Sequence, residues 1–343
     1  MRADKADKSQ KIEPRDDNVV ADAEAPLAAV DVGLVEPEVA GALPTLAMPS
    51  VVSVERAKSK RLGLFGWLAI IWLGLVALMA IAPGIFPVPD LLERSRDAVI
   101  AKDFGPQPGH WLGLDNSGYD MAAKVIHGTR ASMIVSVGAI AFSLLIGGTF
   151  GLIAGYFKGR LDMVLTGIFN VMLAFPPLVL ALAAVTVFAS ERGVSYGRRV
   201  FVVTAVLGLI AIPILGRITR VNALAWSERE FVLAARLLGT KTHRIILREV
   251  LPNVAPAMSQ IVLLGIGVSI IAEGGLSVLG VGVPAAIDSP SWGNLIATLR
   301  SQLFLGRPWG VFAPSLAIFL TVLSLNYLGD VLRARFDVRE SAL

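Results

Sequence analysis

The chain has 343 residues, of which 55% are hydrophobic and 17% are charged, and its formal net charge at pH 7 is +4. Soluble domains carry about a quarter of charged residues, so this composition excludes an ordinary soluble domain. The lack of cysteine excludes a disulfide framework, a thiol nucleophile and a cysteine-based metal site.

Residues 1–57 differ from everything that follows them. They combine Asp, Glu, Lys, Ala and Pro, contain no aromatic residue and show no sustained hydrophobic period. Such a segment cannot bury enough apolar area to offset the entropy of ordering it. We therefore predict a disordered tail over 1–57.

Six long apolar blocks follow the tail, and most approach the length that an α-helix needs to cross about 30 Å of hydrocarbon. They lack the alternation of β-barrel strands, so the sequence predicts an all-α membrane protein with six transmembrane helices. The blocks are Leu62–Ala82, Ala131–Tyr156, Met163–Phe188, Val200–Leu215, Ala257–Leu279 and Val311–Leu328. The predicted organisation is a first span over 58–82, a loop over 83–130, a core of five spans over 131–330 and a tail over 331–343.

Basic residues flank these blocks, a pattern of membrane topology and not of nucleic-acid binding. Arginine and lysine are more frequent on the side of the membrane that the amino terminus shares. This bias predicts a cytoplasmic amino terminus, and six spans then place the carboxyl terminus in the cytoplasm too. The 83–130 loop is expected on the extracytoplasmic side.

Two of the blocks carry residues that shape a helix. Gly147, Gly151 and Gly155, with Gly159 continuing the four-residue spacing, predict a face that lets another helix approach closely. The sequence Phe175-Pro176-Pro177 predicts a kink or a break in the third span. Such a kink is compatible with a transport path and with ordinary packing.

The loop over 217–256 is the longest segment expected in the cytoplasm, and its sequence predicts two short helices. Ser227 and Glu230 have the spacing of a capping box, which predicts a helix from Glu228 onwards. Gly239 stands where a left-handed helix stop belongs. One apolar face of this helix is formed by Phe231, Ala234, Ala235 and Leu238.

The second short helix of this loop is expected over 242–250 and to end before Pro252. Two short helices that meet at a glycine would form a compact knob on the cytoplasmic surface. The small alanines at its centre would permit close approach by another protein.

This loop resembles the "EAA" loop of bacterial binding-protein-dependent ABC permeases. Leu233 replaces the glutamate of that signature, and Glu249 replaces a common isoleucine. The resemblance rests on Phe231-Val232-Leu233-Ala234-Ala235, Gly239 and Leu251-Pro252-Asn253.

Four further motifs are similar to those of the dipeptide, oligopeptide and nickel subgroup of these permeases, and they favour the second ("C"-type) of its two permeases. Tyr119 replaces the arginine that is usual at its position. The motifs are Leu112-Gly113-x-Asp115-x-x-Gly118-x-Asp120 with Gly128-Thr129-Arg130-x-Ser132, Glu273-x-x-Leu276-Ser277-x-Leu279-Gly280-x-Gly282, Ser291-Trp292-Gly293 and Asn326-Tyr327-Leu328-Gly329-Asp330-x-Leu332-Arg333.

The resemblance implies a permease subunit of an ATP-driven importer in the bacterial inner membrane. It implies as partners a second homologous permease, one or two P-loop ATPase subunits, an extracytoplasmic substrate-binding protein and membrane lipid, with no nucleic acid. ATP and Mg would be bound by the ATPases, with no cofactor on this chain. The residues implied to seat the 227–251 loop in an ATPase groove are Phe231, Ala234, Ala235, Arg236, Gly239, Leu251 and Pro252.

The chain lacks any Gly-Lys dipeptide and so lacks a phosphate-binding P-loop of its own. We therefore expect a transport subunit and not an enzyme. The closely spaced His110, Asp115, Asp120 and His127 fit no compact helical pair of metal ligands. We expect no metal there and a role in shaping the outer loop.

Glu273 is the only charged residue inside the predicted spans. It would lie roughly 24 Å along the helix from Ala257, near the outer interface. Two roles remain open, a gate or pathway residue and a structural hydrogen bond to a neighbouring segment. Arg217 and Arg220 are similarly open between partners on an ATPase, lipid phosphates and a role in topology alone.

The alternative function is a stand-alone secondary transporter driven by protons or ions. Proton relays normally need several ionisable groups within the spans, and the predicted spans hold one. A membrane-embedded hydrolase lacks a recognisable catalytic set. The subgroup handles dipeptides, oligopeptides, nickel complexes and glutathione, and this sequence does not choose among them.

Overall fold

The computed structural model describes residues 63–96, 99, 104–189, 195–284, 289–305 and 308–340, without the side chains of 336–340. The predicted tail over 1–57 lies outside these residues. Within them, the chain forms helices joined by turns, and its β-structure is limited to isolated bridges. The all-α prediction is confirmed.

The helices are numbered in chain order. Short 3₁₀ turns lie at Pro83–Ile85 and Arg300–Leu305, and π-helical segments interrupt α2 at Leu144–Gly148 and α7 at Ile246–Val250. The helices are α1 (Leu64–Ile81), α2 (Met121–Phe157), α3 (Gly159–Ala174), α4 (Pro177–Ala189), α5 (Tyr196–Ser227), α6 (Glu230–Leu237), α7 (Thr242–Val278), α8 (Trp292–Leu299) and α9 (Trp309–Glu340).

Five of these helices, α1, α2, α5, α7 and α9, are long and apolar enough to cross a membrane. Helices α3 and α4 pass the same test together but meet at an angle of 83°, so the described residues provide six spans when this pair counts as one. The break falls at Phe175-Pro176, where the sequence predicts it, and Pro177 opens α4. Proline is well suited to the first helical position because it has no N–H to leave unpaired there.

The second span begins earlier than its apolar block. Helix α2 starts at Met121 because the Oδ1 of Asp120 accepts a hydrogen bond of 2.7 Å from the backbone N–H of Ala123. The predicted loop over 83–130 therefore ends at Asp120. Lys124 and Arg130 conceal this helix start in the hydropathy pattern.

The fourth span is longer than predicted, and the capping box is wrong. Helix α5 continues to Ser227, whose hydroxyl donates to the carbonyl of Leu224 at 2.9 Å and caps nothing downstream. The helix that follows has Arg229 as its N-cap residue. The connection between α5 and α7 is thus limited to residues 228–241, and most of the predicted 217–256 loop is helical.

The predicted helix end before Pro252 is also wrong, since α7 runs on into the fifth span. The π-helical segment widens the turn before Pro252, and the N–H of Leu251 reaches the carbonyl of Ile246. A wider turn relieves the crowding by the proline ring, which would otherwise break the helix. The side-chain amide of Asn253 donates to the carbonyl of Glu249 at 2.6 Å.

The glycine face of α2 packs against α5, as the four-residue spacing predicts. A Cβ atom added at Gly147, Gly151 or Gly155 would overlap a backbone oxygen of α5. Gly159 does not continue this face. The helix ends at Lys158, which has a positive φ of 54°, and Gly159 starts α3 with open space around it.

Two ends of the bundle are used below. The knob is residues 228–250, and the knob end is the end of the bundle that carries it. The far end is the opposite end, where α2 and α5 begin and where α8 packs against α7 and α9.

Candidate functional sites at the two ends of the bundle

Helix α6 is attached to the bundle along one side. Val232 is fully buried in a cluster that includes Tyr156, Ala223 and Ile245, and Ala235 is partly buried against the same cluster. These contacts join the knob to α2, α5 and α7. The knob is therefore part of the bundle and not a loose loop.

Helix α6 ends just before Gly239, where the sequence predicts a helix stop. Gly239 has a φ of +74°, and its N–H donates to the carbonyl of Arg236 at 3.0 Å. The N–H of Thr240 reaches back to Ala235 at 3.1 Å. This pair of bonds is a Schellman motif, which favours glycine because its left-handed position penalises a Cβ. The predicted stop is confirmed.

The opposite side of α6 is exposed and apolar. Leu237 and Leu238 are 81% and 84% exposed, and Phe231 and Leu233 are exposed as well. Ala234 lies on this exposed side. Of the residues predicted to share one face, Ala235 packs against the core cluster and the ring of Phe231 lies 6.2 Å from that of Trp226, whereas Ala234 and Leu238 point to solvent.

Charged side chains surround the attachment of the knob. The guanidinium of Arg236 lies 4.9 Å from the ring centroid of Tyr156, and that of Arg229 lies 5.2 Å from Trp226. Lys158 Nζ lies 2.5 Å from Glu228 Oε1. The hydrogen bond and charge of this ammonium lower the pKa of the Glu228 carboxyl below its ordinary value.

The structure separates the predicted coupling residues into two groups. Phe231 to Gly239 lie on α6 and its stop, whereas Leu251 and Pro252 lie on α7 just beyond the π-helical segment. Both residues of the second group are exposed.

Arg217 and Arg220, whose roles the sequence left open, have partners inside the chain. Arg220 forms two hydrogen bonds with the carboxylate of Asp162, one of them 2.6 Å from Nη2 to Oδ2. Arg217 donates to the side-chain oxygen of Asn170. Both contacts join α5 to α3, the first at the start of α3 and the second near its end.

At the far end, the acidic residues of the segment between α1 and α2 bind other parts of that segment and the start of α2. Asp120 Oδ2 lies 2.8 Å from His110 Nδ1. Asp115 accepts backbone hydrogen bonds of 2.8 Å and 2.9 Å from Ser117 and Tyr119, and it pairs with Lys124. The predicted role of these acids in shaping the loop is confirmed.

Glu273 is fully buried near the far end of α7. Its Oε1 accepts hydrogen bonds from the hydroxyls of Ser277 at 2.8 Å and Ser291 at 2.9 Å. Ser291 also caps α8 by accepting a bond from the N–H of Asn294. The carboxylate thus ties α7 to the start of α8, which is the hydrogen bond to a neighbouring segment that the sequence left open.

Trp292 completes this far-end cluster, and sequence reasoning missed its role. Its backbone N–H donates to the hydroxyl of Ser132 at 3.0 Å, and its indole N–H donates to the carbonyl of Val125 at 2.9 Å. The next residue, Gly293, packs against Gly274, and a Cβ at Gly293 would lie 2.5 Å from the Cα of Gly274. The Ser-Trp-Gly motif is the sequence signal, but its contacts on α2 are 160 and 167 positions away.

Comparison with known proteins agrees with this architecture. Residues 147–341 match the family model of the binding-protein-dependent transport system inner membrane component. The dipeptide transport system permease protein DppC of Alkalihalophilus pseudofirmus is 36% identical over 234 residues, which cover 68% of this chain and 73% of that protein.

Two further relatives have similar names. The glutathione transport system permease protein GsiD of Pectobacterium atrosepticum is 36% identical over 233 residues, 68% of this chain and 74% of that protein. A putative peptide permease protein of Brucella ovis is 29% identical over 300 residues, 87% of this chain and 93% of that protein. The matches confirm the resemblance seen in the motifs, and the chain belongs to the family of inner-membrane components of binding-protein-dependent transport systems.

Proposed function

We propose that this chain is one of two permease subunits of an ATP-driven importer for peptides or related small solutes. It forms half of the translocation path with a second homologous permease and receives solute from an extracytoplasmic binding protein. The names of the relatives, which refer to dipeptides, glutathione and peptides, support this class of substrate. Both chain termini and the knob face the cytoplasm in this arrangement.

The observation that carries the proposal is the exposed apolar side of α6. Leu237 and Leu238 are exposed on the knob, which connects the long apolar helices α5 and α7. Clustered exposed apolar side chains mark interaction surfaces in soluble regions of proteins. Exposed basic residues, Lys241, Arg244 and Arg248, follow on the next helical turns. The knob therefore fits an apolar groove with an acidic rim on a cytoplasmic ATPase, which would itself bind ATP and Mg.

The construction of the knob suits the transfer of movement. The Schellman motif and the buried Val232 fix α6 to the bundle. The continuous α7 then extends from the knob to the Glu273 cluster at the far end. Displacement of the knob by an ATPase would be passed along α7, so we propose that Glu273 and Ser291 form a far-end gate.

Replacement of one exposed leucine tests the docking surface. Leu238→Asp should prevent co-purification of ATPase subunits with the tagged chain in mild detergent, because it places a charge in the apolar contact. Leu92→Asp is the matched control, since Leu92 is 60% exposed and lies near the far end. Mass spectrometry of the eluted proteins measures the outcome, at equal amounts of each variant in the membrane.

Retention of the ATPases by Leu238→Asp would contradict the docking surface. The unmodified chain also distinguishes the two classes of transporter. Purification without any ATPase, together with uptake driven by a proton gradient in the absence of ATP, would contradict the importer and support the secondary transporter.

A further inference from the structure

A cavity of about 340 Å³ lies at the far end, between the second to fourth turns of α2 and the start of α5. Its apolar walls include Ile134 and Val200, and its polar lining consists of His127, Arg130, Tyr196 and Ser289. Ligand sites in proteins begin at about 300 Å³ and combine apolar walls with a few polar groups. The cavity lies outside the Glu273 cluster and outside the knob.

Arg130 distinguishes this cavity from the rest of the bundle. It alone among the described lining residues carries a permanent charge, and it is exposed. Within the described part of the chain it forms no hydrogen bond or ion pair, whereas Arg199, Arg217 and Arg220 each donate to an oxygen of this chain. Its guanidinium is therefore available to a ligand.

The surrounding groups favour a carboxylate as that ligand. A guanidinium presents paired N–H donors that match the two oxygens of a carboxylate. The hydroxyls of Tyr196 and Ser289 and the ring of half-buried His127 add hydrogen-bonding groups to the lining. Asp90 lies close enough to His127 to act on it electrostatically, which leaves Arg130 as the main attraction for an anion. The apolar walls would contact the aliphatic part of such a solute.

We propose that this cavity binds the free carboxylate of the transported solute, with Arg130 as its anchor, on the extracytoplasmic side of the permease. The inference deepens the proposed function by naming the group of a peptide that the permease itself recognises. An importer that reads the carboxyl end of a peptide would discriminate against peptides whose carboxylate is blocked.

Thiol labelling tests the site without relying on transport. The chain has no cysteine, so Ile134→Cys introduces a single thiol into the wall of the cavity. The rate of its reaction with a maleimide is measured on the full chain in its purified complex, with trialanine or trialanine amide present. Trialanine should slow the labelling and trialanine amide should not, because only the first has a free carboxylate.

The same measurement with Arg130 replaced tests the anchor. Arg130→Gln should weaken the protection by trialanine by about tenfold or more, because one hydrogen bond to a charged group already contributes about tenfold and the guanidinium offers two. Arg130→Lys should retain part of the protection, since it keeps the charge without the paired donors. Leu92→Cys, near the far end but outside the cavity, should label at one rate in every condition.

The outcomes separate this inference from the importer proposal. Equal protection by both peptides, no protection by either, or full protection in the Arg130→Gln variant would overturn the carboxylate site, even if the complex imports peptides. Selective protection that depends on Arg130, in a complex without ATP-dependent uptake, would support the site and contradict the importer.

Discussion

At the far end of the bundle, polar side chains are buried and bonded to one another, whereas at the knob end apolar side chains are left in solvent. The carboxylate of Glu273 is fully buried and accepts two hydroxyl hydrogen bonds. Leu238 on the knob is 84% exposed. Each arrangement is the reverse of ordinary burial, in which charged groups face water and leucines face the core.

The two reversals have different causes. A buried carboxylate is tolerated only where hydrogen bonds replace its hydration, so the far end depends on the order of Glu273, Ser277 and Ser291. Exposed leucines need no partner inside the chain, and they become stabilising only when another surface covers them. The two hydroxyl hydrogen bonds of Glu273 are thus supplied within this subunit, whereas no described residue covers the exposed leucines at the knob end.

The largest effect on stability is expected from Trp292→Ala at the far end. This change removes a fully buried indole ring from the core, together with its hydrogen bond to the carbonyl of Val125. Tryptophan-to-alanine changes in cores cost about 3–5 kcal/mol of unfolding free energy. The measurement is the thermal unfolding midpoint of the purified protein in detergent.

Trp111→Ala is the control for this change, because its side chain is 72% exposed in the outer loop. Surface changes of this kind stay within about 0.5 kcal/mol. Equal midpoints for the two variants would show that the far-end cluster does not hold the bundle together.

A smaller effect is expected from Glu273→Ala. The change removes the acceptor of the Ser277 and Ser291 hydroxyls. The Ser277 hydroxyl can turn to the backbone carbonyl four residues before it, so one buried hydroxyl is left unpaired, at a cost of about 1–3 kcal/mol. Glu273→Gln keeps an acceptor oxygen and should cost less. Thermal unfolding in detergent ranks the two variants, and a Gln variant as unstable as the Ala variant would contradict this account.

Solute uptake by the Glu273→Gln variant then separates the two roles of this residue. Normal stability with lost uptake would support the far-end gate, because the hydrogen bonds would persist while the ionisable group is absent. Normal stability with normal uptake would leave Glu273 as a structural hydrogen-bond acceptor only.

The sequence predicts the presence of the transmembrane spans better than it predicts where they begin and end. Transmembrane spans follow from apolar runs because lipid offers no partner for backbone groups. The sequence misplaces the end of a span where the helix continues beyond its apolar run with charged residues. Lys124 and Arg130 conceal the start of α2, and Arg217 and Arg220 lie in the last turns of α5, where their contacts with α3 allow the helix to continue.

A local sequence pattern gives a wrong prediction where its polar side chain binds a different partner. Ser227 has the spacing of a capping residue, but the carbonyl of Leu224 accepts its hydroxyl hydrogen bond. The stop at Gly239 was predicted because its cause, a left-handed residue, is entirely local. The contact of Trp292 with Ser132 joins distant segments, and such pairs cannot be read from one sequence.

The smallest effect is expected at the knob end, from Lys158→Met. The Lys158–Glu228 pair is exposed, and exposed ion pairs contribute little because water and salt screen them. Since Lys158 lowers the pKa of Glu228, any contribution is complete above the ordinary glutamate pKa and is lost as the pH falls through the lowered value. The unfolding midpoints of Lys158→Met and the unmodified protein should therefore agree closely at neutral pH and coincide in acid. A drop at neutral pH larger than that of Trp111→Ala would mean that the ion pair, and not buried Val232, fixes the knob to the bundle.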